Sequence, residues 1–334
     1  MSYRSCMTMQ HVDRVYLIGL GALGGMYAAR LRECRGVDFR VIAGGARGEA
    51  YRRTGISVNG KELSVDVITP GSGGSPADLI VIAVKNPQLQ QAVEDLRDFV
   101  GPDTLVISLL NGISSEELVG GIIGSEHMLY AYGVGMDAVR EGGTIRYSNM
   151  GRIVFGEREN TVVSARVGAV RRLLEEAGIP FVIPQNMIRA LWSKFMLNVG
   201  INQASAVLRS PYSAFQRDRE ARELMVMAAS EVVAISKRNG IDLGEKDLAE
   251  FLKIIDGLDP SGKTSMLQDI EAGRKTEVDI YSGRVIELGA QLDVPTPVNE
   301  VLFRIISVME RATEPRQRAA ATNCSLNIGR QDRE

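Results

Sequence analysis

One junction restricts the fold of this chain more than anything else in it. The apolar run Arg14 to Gly19 leads directly into Gly19-Leu20-Gly21-Ala22-Leu23-Gly24, and that segment opens a helix-forming stretch over Ala22 to Arg32. The spacing is G-x-G-x-x-G in a strand, turn and helix context. There one glycine makes the tight turn and the second lets the backbone approach a pyrophosphate. The third lets strand and helix pack closely while the helix N-terminus faces the anion. Gly19, Leu20, Gly21, Ala22, Leu23 and Gly24 are therefore expected to hold a dinucleotide.

The pattern after this junction predicts an α/β fold, a Rossmann-type doubly wound sheet domain followed by an all-helical second domain. Strands are expected at Arg14 to Gly19, Asp38 to Ala43, Leu79 to Val84 and Thr104 to Leu110, with a helix over Gln88 to Asp98. Ile56 to Val58 and Val65 to Ile68 read as a small hairpin turning at Asn59-Gly60. Ser114 and Glu117 have the spacing of a capping box. Met128 to Tyr132, Gly143 to Tyr147 and Arg152 to Gly156 are expected to complete the sheet, followed by a helix over Val162 to Ala177 and a last strand, Phe181 to Ile183.

Beyond Pro184 the β signal stops, and Met187 to Leu208, Arg217 to Asn239, Glu245 to Asp256, Ser282 to Gln291 and Pro297 to Arg311 carry helical patterning. The expected division is a flexible tail over 1–12, a dinucleotide-binding domain over 13–185, a helical substrate and catalytic domain over 186–312 and a second flexible tail over 313–334.

Several function classes are disfavoured. Lys and Arg number 39 against 41 Asp and Glu, so no excess of positive charge exists to displace counterions from a nucleic acid. The longest apolar runs fall far below the roughly 20 residues of a membrane span. Cys6, Cys34 and Cys324 are odd in number and far apart, which fits a reducing, cytoplasmic setting better than a disulfide framework. With two histidines, His11 and His127, neither a histidine-rich metal site nor a Ser-His-Asp arrangement is expected.

An NAD site would place Asp or Glu at the end of strand two, about 20 residues after the glycines. Here that stretch reads Ala43-Gly44-Gly45-Ala46-Arg47, with no acid at the strand end. Arg47 favours a 2′-phosphate and hence NADP, while Glu49, if turned inward, argues the other way. Lys85 and Asn111 follow two predicted strands at equivalent places, where open α/β sheets form their ligand crevice.

The most informative stretch runs from Leu191 to Asn202. Lys194, Asn198 and Asn202 are spaced i, i+4, i+8, which puts them on one helical face with apolar residues all around. Burying an ammonium and two amides is costly unless partners or a substrate satisfy them. A ketone that accepts hydride must also accept a proton on its oxygen. A partly desolvated lysine with a lowered pKa supplies one near neutral pH, and this is the role expected of Lys194. Ser265 offers a substrate hydrogen-bond donor and Glu277 a carboxylate partner.

At this point the chain resembles the ketopantoate reductase family, the 2-dehydropantoate 2-reductases, from about Val15 to Ile306. The resemblance rests on Gly19 to Gly24, Val84-Lys85, Leu110-Asn111-Gly112, the Leu191-Trp192-x-Lys194-x-x-x-Asn198-x-x-x-Asn202 run, Ser265 to Asp269 and Thr276-Glu277-x-Asp279. It implies Lys194 as general acid, Glu277 as the acid that helps to position substrate, and Ser265, Asn198 and Asn202 as substrate contacts. It places Lys85 and Asn111 beside the nicotinamide.

The implied reaction is reduction of ketopantoate, a small-molecule 2-keto acid, by NADPH on the route to pantothenate and coenzyme A. Oligomeric state is left open, with a homodimer as one arrangement. Three positions depart from the family pattern. Gly44 stands where an arginine often ends strand two, and Tyr212 and Gly262 stand where asparagines occur in some substrate pockets. Two alternatives remain: a reductase of another 2-keto acid, and a non-catalytic NADP-binding sensor, which would need the glycine loop but not Lys194 and Glu277.

Overall fold

The structure is a computed structural model that describes residues 11–312, so the two expected tails, apart from residues 11 and 12, and Cys6 and Cys324 lie outside the described residues. By its internal contacts the chain divides into two compact units between Leu191 and Trp192.

In the first unit, strands β1 (Arg14–Ile18), β2 (Asp38–Ile42), β3 (Ile56–Val58), β4 (Lys61–Leu63), β5 (Asp66–Ile68), β6 (Leu79–Ile82), β7 (Leu105–Ser108), β8 (Met128–Met136), β9 (Val139–Glu141), β10 (Thr144–Arg146), β11 (Met150–Gly156) and β12 (Phe181–Val182) form two sheets. The larger has the order β12-β11-β8-β7-β6-β1-β2-β5. Strands β5 to β8 in that order pair in parallel, and β11 joins β8 antiparallel. Helices α1 (Ala22–Leu31), α2 (Gly45–Thr54), α3 (Leu89–Leu96), α4 (Ser115–Ile123) and α5 (Ala165–Glu176) connect the strands.

Alternation along each strand sends successive side chains to opposite faces, which accounts for the continuous apolar runs of strands covered on both sides. Val15 and Leu17 pack in one core with Met26, Tyr27 and Leu31 of α1 and Val170 and Leu173 of α5. Tyr16 and Ile18 pack in the other with Leu89, Val93 and Leu96 of α3 and Val119 of α4. This is the doubly wound arrangement, with ligand crevices expected at the carboxyl ends of its strands.

Four details differ from the sequence reading. The Asn59-Gly60 turn forms with both residues at positive φ, but it pairs β3 with β4; β5 instead extends the main sheet beside β2. Gly143 to Tyr147 contributes β10 to a second sheet, of order β4-β3-β10-β9, instead of completing the first. Ser114 precedes α4 without a side-chain cap, so the capping box is not made, and the Ser115 hydroxyl donates to Glu116 instead. Val12, read as tail, is buried in the first core.

Helices α6 (Met187–Leu208), α7 (Tyr212–Arg217), α8 (Arg219–Arg238), α9 (Glu245–Asp256), α10 (Ser265–Glu271) and α11 (Ser282–Leu292), with α12 over residues 297–312, follow. Met187 and Leu191, in the opening turns of α6, pack with Tyr132 and Val154 of the sheet domain. The second unit, from Trp192 onward, contains no strand among the described residues. Its core is fastened by amides. Gln203, fully buried, donates to the Val199 carbonyl and to Asn299 Oδ1, while Asn299 donates to Glu231 at 2.7 Å. Ser282 donates to both Gln203 and Asn299, so α6, α8, α11 and α12 share one satisfied polar network.

Candidate active site

In the first unit the glycine loop is shaped by close backbone approaches. Gly19 has φ +103, and a Cβ there would stand 2.6 to 2.7 Å from the backbone of Ala83 and Val84 beyond β6. A Cβ on Gly24 would fall against the Gly19 carbonyl. These two glycines are demanded by the protein's own packing. Gly21 is different: its nearest neighbour would be the Ala83 carbonyl at 3.9 Å, so packing leaves room for a side chain. Gly21 is also the N-cap of α1, with no side-chain cap and no acid in the first turn. Bare backbone at an open helix N-terminus is what a pyrophosphate requires, so the loop fits a dinucleotide by its own geometry.

Beside this loop lies a cavity of about 490 Å³ at the ends of β1, β2 and β6, lined by Gly19, Leu20, Ile42, Gly44, Arg47 and Tyr51 among others. The strand-end stretch after β2 is not a loop. It turns at once into α2, which sets Arg47 and Tyr51 four residues apart on one helical face over the cavity, while Glu49 is exposed and does not line it. Lys85 and Asn111 each follow by three residues the paired strand ends Ile82 and Ser108. They are thus placed at matching points of neighbouring strands, Lys85 exposed and Asn111 half-buried.

In the second unit the stripe on α6 is present. Asn198 and Asn202 are buried and Lys194 is half-buried, while Phe195, Met196, Val199 and Ile201 fill the rest of the helix surface with apolar packing. Desolvation draws the Lys194 ammonium down to a pKa of about 8, and the Glu277 carboxylate pulls it part of the way back. Glu277 stands just before a short 3₁₀ turn. It accepts a hydrogen bond from the hydroxyl of Tyr281 at 3.3 Å, and Thr276 beside it is held through both its amide and its hydroxyl by Glu310. Burial and the adjacent carboxylate push the Tyr281 phenol well above its usual range, so it stays a donor to Glu277.

Asn202 donates to Asn198 Oδ1 at 3.3 Å, and its own Oδ1 accepts from the Ser265 hydroxyl at 3.2 Å and the Met266 amide at 3.4 Å. The start of α10, capped by Thr264, is thereby tied to the polar face of α6. The structure brings Lys194 and Glu277 together electrostatically, and Asn198, Asn202 and Ser265 together by hydrogen bonds.

Residues 15–160 match the family described as Ketopantoate reductase PanE/ApbA, and residues 186–310 match Ketopantoate reductase PanE/ApbA C terminal. The chain belongs to the ketopantoate reductase family. It is an oxidoreductase of the 2-dehydropantoate 2-reductase type that uses a nicotinamide dinucleotide. A relative named 2-dehydropantoate 2-reductase from Pyrococcus horikoshii is 27% identical, covering 89% of this chain and 97% of that protein. The fold is shared with a D-mandelate dehydrogenase solved with NADH and anilino(oxo)acetate, at TM-score 0.80 and 21% identity over 90% of this chain and 99% of that one. It is shared too with a dimeric ketopantoate reductase from Staphylococcus aureus, at TM-score 0.75, 21% identity and coverage of 90% and 99%.

Within this family frame, the two departures at Tyr212 and Gly262 are one packing unit. The Tyr212 amide donates to the Gly262 carbonyl at 3.0 Å, and a Cβ on Gly262 would stand 2.9 and 3.0 Å from Cδ2 and Cε2 of the Tyr212 ring. The ring occupies the room that a side chain at 262 would need. Tyr281, Gln203 and Arg140 were not foreseen from sequence. Gln203 lies inside the expected helix Met187 to Leu208, Tyr281 just before the expected helix Ser282 to Gln291, and Arg140 on the three-residue strand β9 with its partner 120 positions away.

Proposed function

We propose that this enzyme reduces a small 2-keto acid with NADPH, that ketopantoate is its foremost substrate, and that the product is pantoate for pantothenate and coenzyme A synthesis. We place it in the cytoplasm as a homodimer. The observation that carries the reading is Lys194, whose pKa burial lowers to about 8 beside Glu277 on the polar stripe of α6. The glycine loop and Arg47 would hold NADPH, with Lys85 and Asn111 toward its nicotinamide end, and the bound cofactor would supply the hydride. Lys194 gives its proton to the substrate oxygen that becomes the hydroxyl, and a donor poised near ambient pH is best matched to that transfer.

Glu277 orients the ammonium and the substrate, with Tyr281 fixing the carboxylate. Ser265 and the two asparagines hold the substrate, Asn202 also keeping Ser265 and α10 in register with α6. The presence of both Lys194 and Glu277 favours an enzyme over a sensor that only binds dinucleotide. The test is NADPH oxidation with ketopantoate by Lys194→Ala. Turnover is expected to fall about 100-fold or more with the NADPH dissociation constant unchanged. Near wild-type turnover would remove Lys194 from the chemistry.

A second reading, reduction of a simpler branched 2-keto acid, is favoured by the Tyr212 ring packed over Gly262. In place of two asparagine side chains that position offers one hydroxyl and bare backbone.

A further inference from the structure

The second sheet of the first unit brings a side chain to the dinucleotide site that the glycine motif does not include. Arg140 on β9 donates through Nη1 to the carbonyl of Leu20, inside the glycine loop, and through Nε to the carbonyl of Gly142 at 2.8 Å. Its guanidinium carbon lies 5.9 Å from the centre of the Tyr51 ring. Leu20 and Tyr51 both line the cavity beside the loop, and so does Arg47, four residues before Tyr51 on α2.

Arg47 thus lines the cavity while the Arg140 guanidinium packs against two residues that line it, and among the described residues neither arginine has a carboxylate partner. The carboxylate that lines the cavity, Asp95 on α3, accepts from Gln91 instead. A guanidinium carries five donors, and the two contacts of Arg140 use two of them. An arginine in the cavity lining and a second one tied to the glycine loop, with donors to spare, offer an anion more than backbone amides. Planar forks of this kind match a phosphate by paired hydrogen bonds.

We propose that Arg140 is, with Arg47, the reader of the 2′-phosphate on the adenosine ribose, delivered to the cofactor site by the β9–β10 arm. This makes up for Gly44, which stands where an arginine often ends strand two. The Tyr51 ring holds the guanidinium in place, and the Leu20 carbonyl ties it to the loop it serves. The inference rests on the NADPH reading above.

The test is titration of the purified full chain and its Arg47→Gln, Arg140→Gln and Arg140→Lys variants with NADPH, NADH and 2′,5′-ADP, by calorimetry. Arg140→Gln is expected to weaken NADPH and 2′,5′-ADP about 10-fold or more while changing NADH less than about 2-fold. Arg140→Lys, which keeps the charge but loses the fork, is expected to lose less, again for the 2′-phosphorylated ligands alone. It serves as the test if the glutamine variant does not fold. NADPH affinity that survives both substitutions overturns the proposal, and so does an equal loss for NADPH and NADH. Wild-type protein that binds the two cofactors equally would overturn the NADPH reading itself, and is told apart because it needs no variant.

Discussion

The glycine loop of the sheet domain and the polar stripe of the helical domain are built on opposite devices. At the loop, the glycines leave bare backbone and an uncapped helix N-terminus. On α6, an ammonium and two amides have been kept in surroundings where apolar residues would be easier to bury. The first device needs shape and tolerates no added atom at two of its positions. The second needs charge and carries an energetic burden that is visible as the lowered pKa of Lys194. On the proposed reading, binding and chemistry are thereby separable by mutation.

The largest effect expected is at the loop. Gly24→Ala sets a Cβ against the Gly19 carbonyl, and overpacking against backbone should cost about 3 kcal/mol or more of stability, with loss of cofactor binding. Gly21→Ala, where a Cβ meets little, should leave the melting temperature within a degree or two while still weakening NADPH binding. If both variants unfold alike, Gly21 serves packing and the contrast between them collapses.

On α6 the contrast is tested by pH. Lys194 must be protonated to act as an acid, so the rate of keto acid reduction should be level below about pH 7. It should decline through a midpoint near 8, approaching tenfold per unit above it. Because Glu277 raises that pKa, Glu277→Gln should move the midpoint lower. A profile flat to pH 10 would exclude Lys194 as the titrating acid.

The burden itself is measurable as stability. A lysine whose folded pKa lies below its unfolded value binds fewer protons when folded. Its unfavourable contribution is therefore fully present below about pH 8 and relieved as pH rises toward 10.5. Lys194→Met should accordingly be more stable than wild type at pH 7, by about 1 to 3 kcal/mol, with the difference shrinking through that window. A destabilised variant would mean that the electrostatic attraction of Glu277 outweighs the desolvation.

The smallest effect concerns selectivity. The ratio of kcat/KM for ketopantoate over 2-ketoisovalerate should lie below about 10,000, the level a dedicated hydroxyl-binding site reaches. Gly262→Asn alone should be poorly tolerated, because the Tyr212 ring fills its space. Tyr212→Asn with Gly262→Asn should raise the ratio, and the two changes should be non-additive. A wild-type ratio above that level would show that the pair does not touch selectivity.

Much of this was legible in the sequence because it is local. The glycine spacing, the apolar strands that precede Lys85 and Asn111, and the i, i+4, i+8 stripe of α6 each declare themselves within a dozen residues. Helix α6 was read with its observed bounds, Met187 to Leu208. What was not legible depends on distant pairing. The β3–β10 contact joins Ser57 to Thr144 through strands of three residues each, too short for a periodic signal. Helix α2 has three glycines or charged residues in its first turn and no apolar stripe, so nothing local announces it. The tie from Asn202 to Ser265 and the Arg140 contact with Leu20 exist only once the chain has folded.

Gly21 has an implication for ancestry. Selection for a stable fold alone would guard Gly19 and Gly24, since the chain cannot close its first turn without them, but it would leave position 21 free to drift. A descendant of this chain that lost its dinucleotide while keeping its architecture would therefore betray the loss there first. The middle glycine of the motif is a record of occupancy, and its two neighbours are a record of folding.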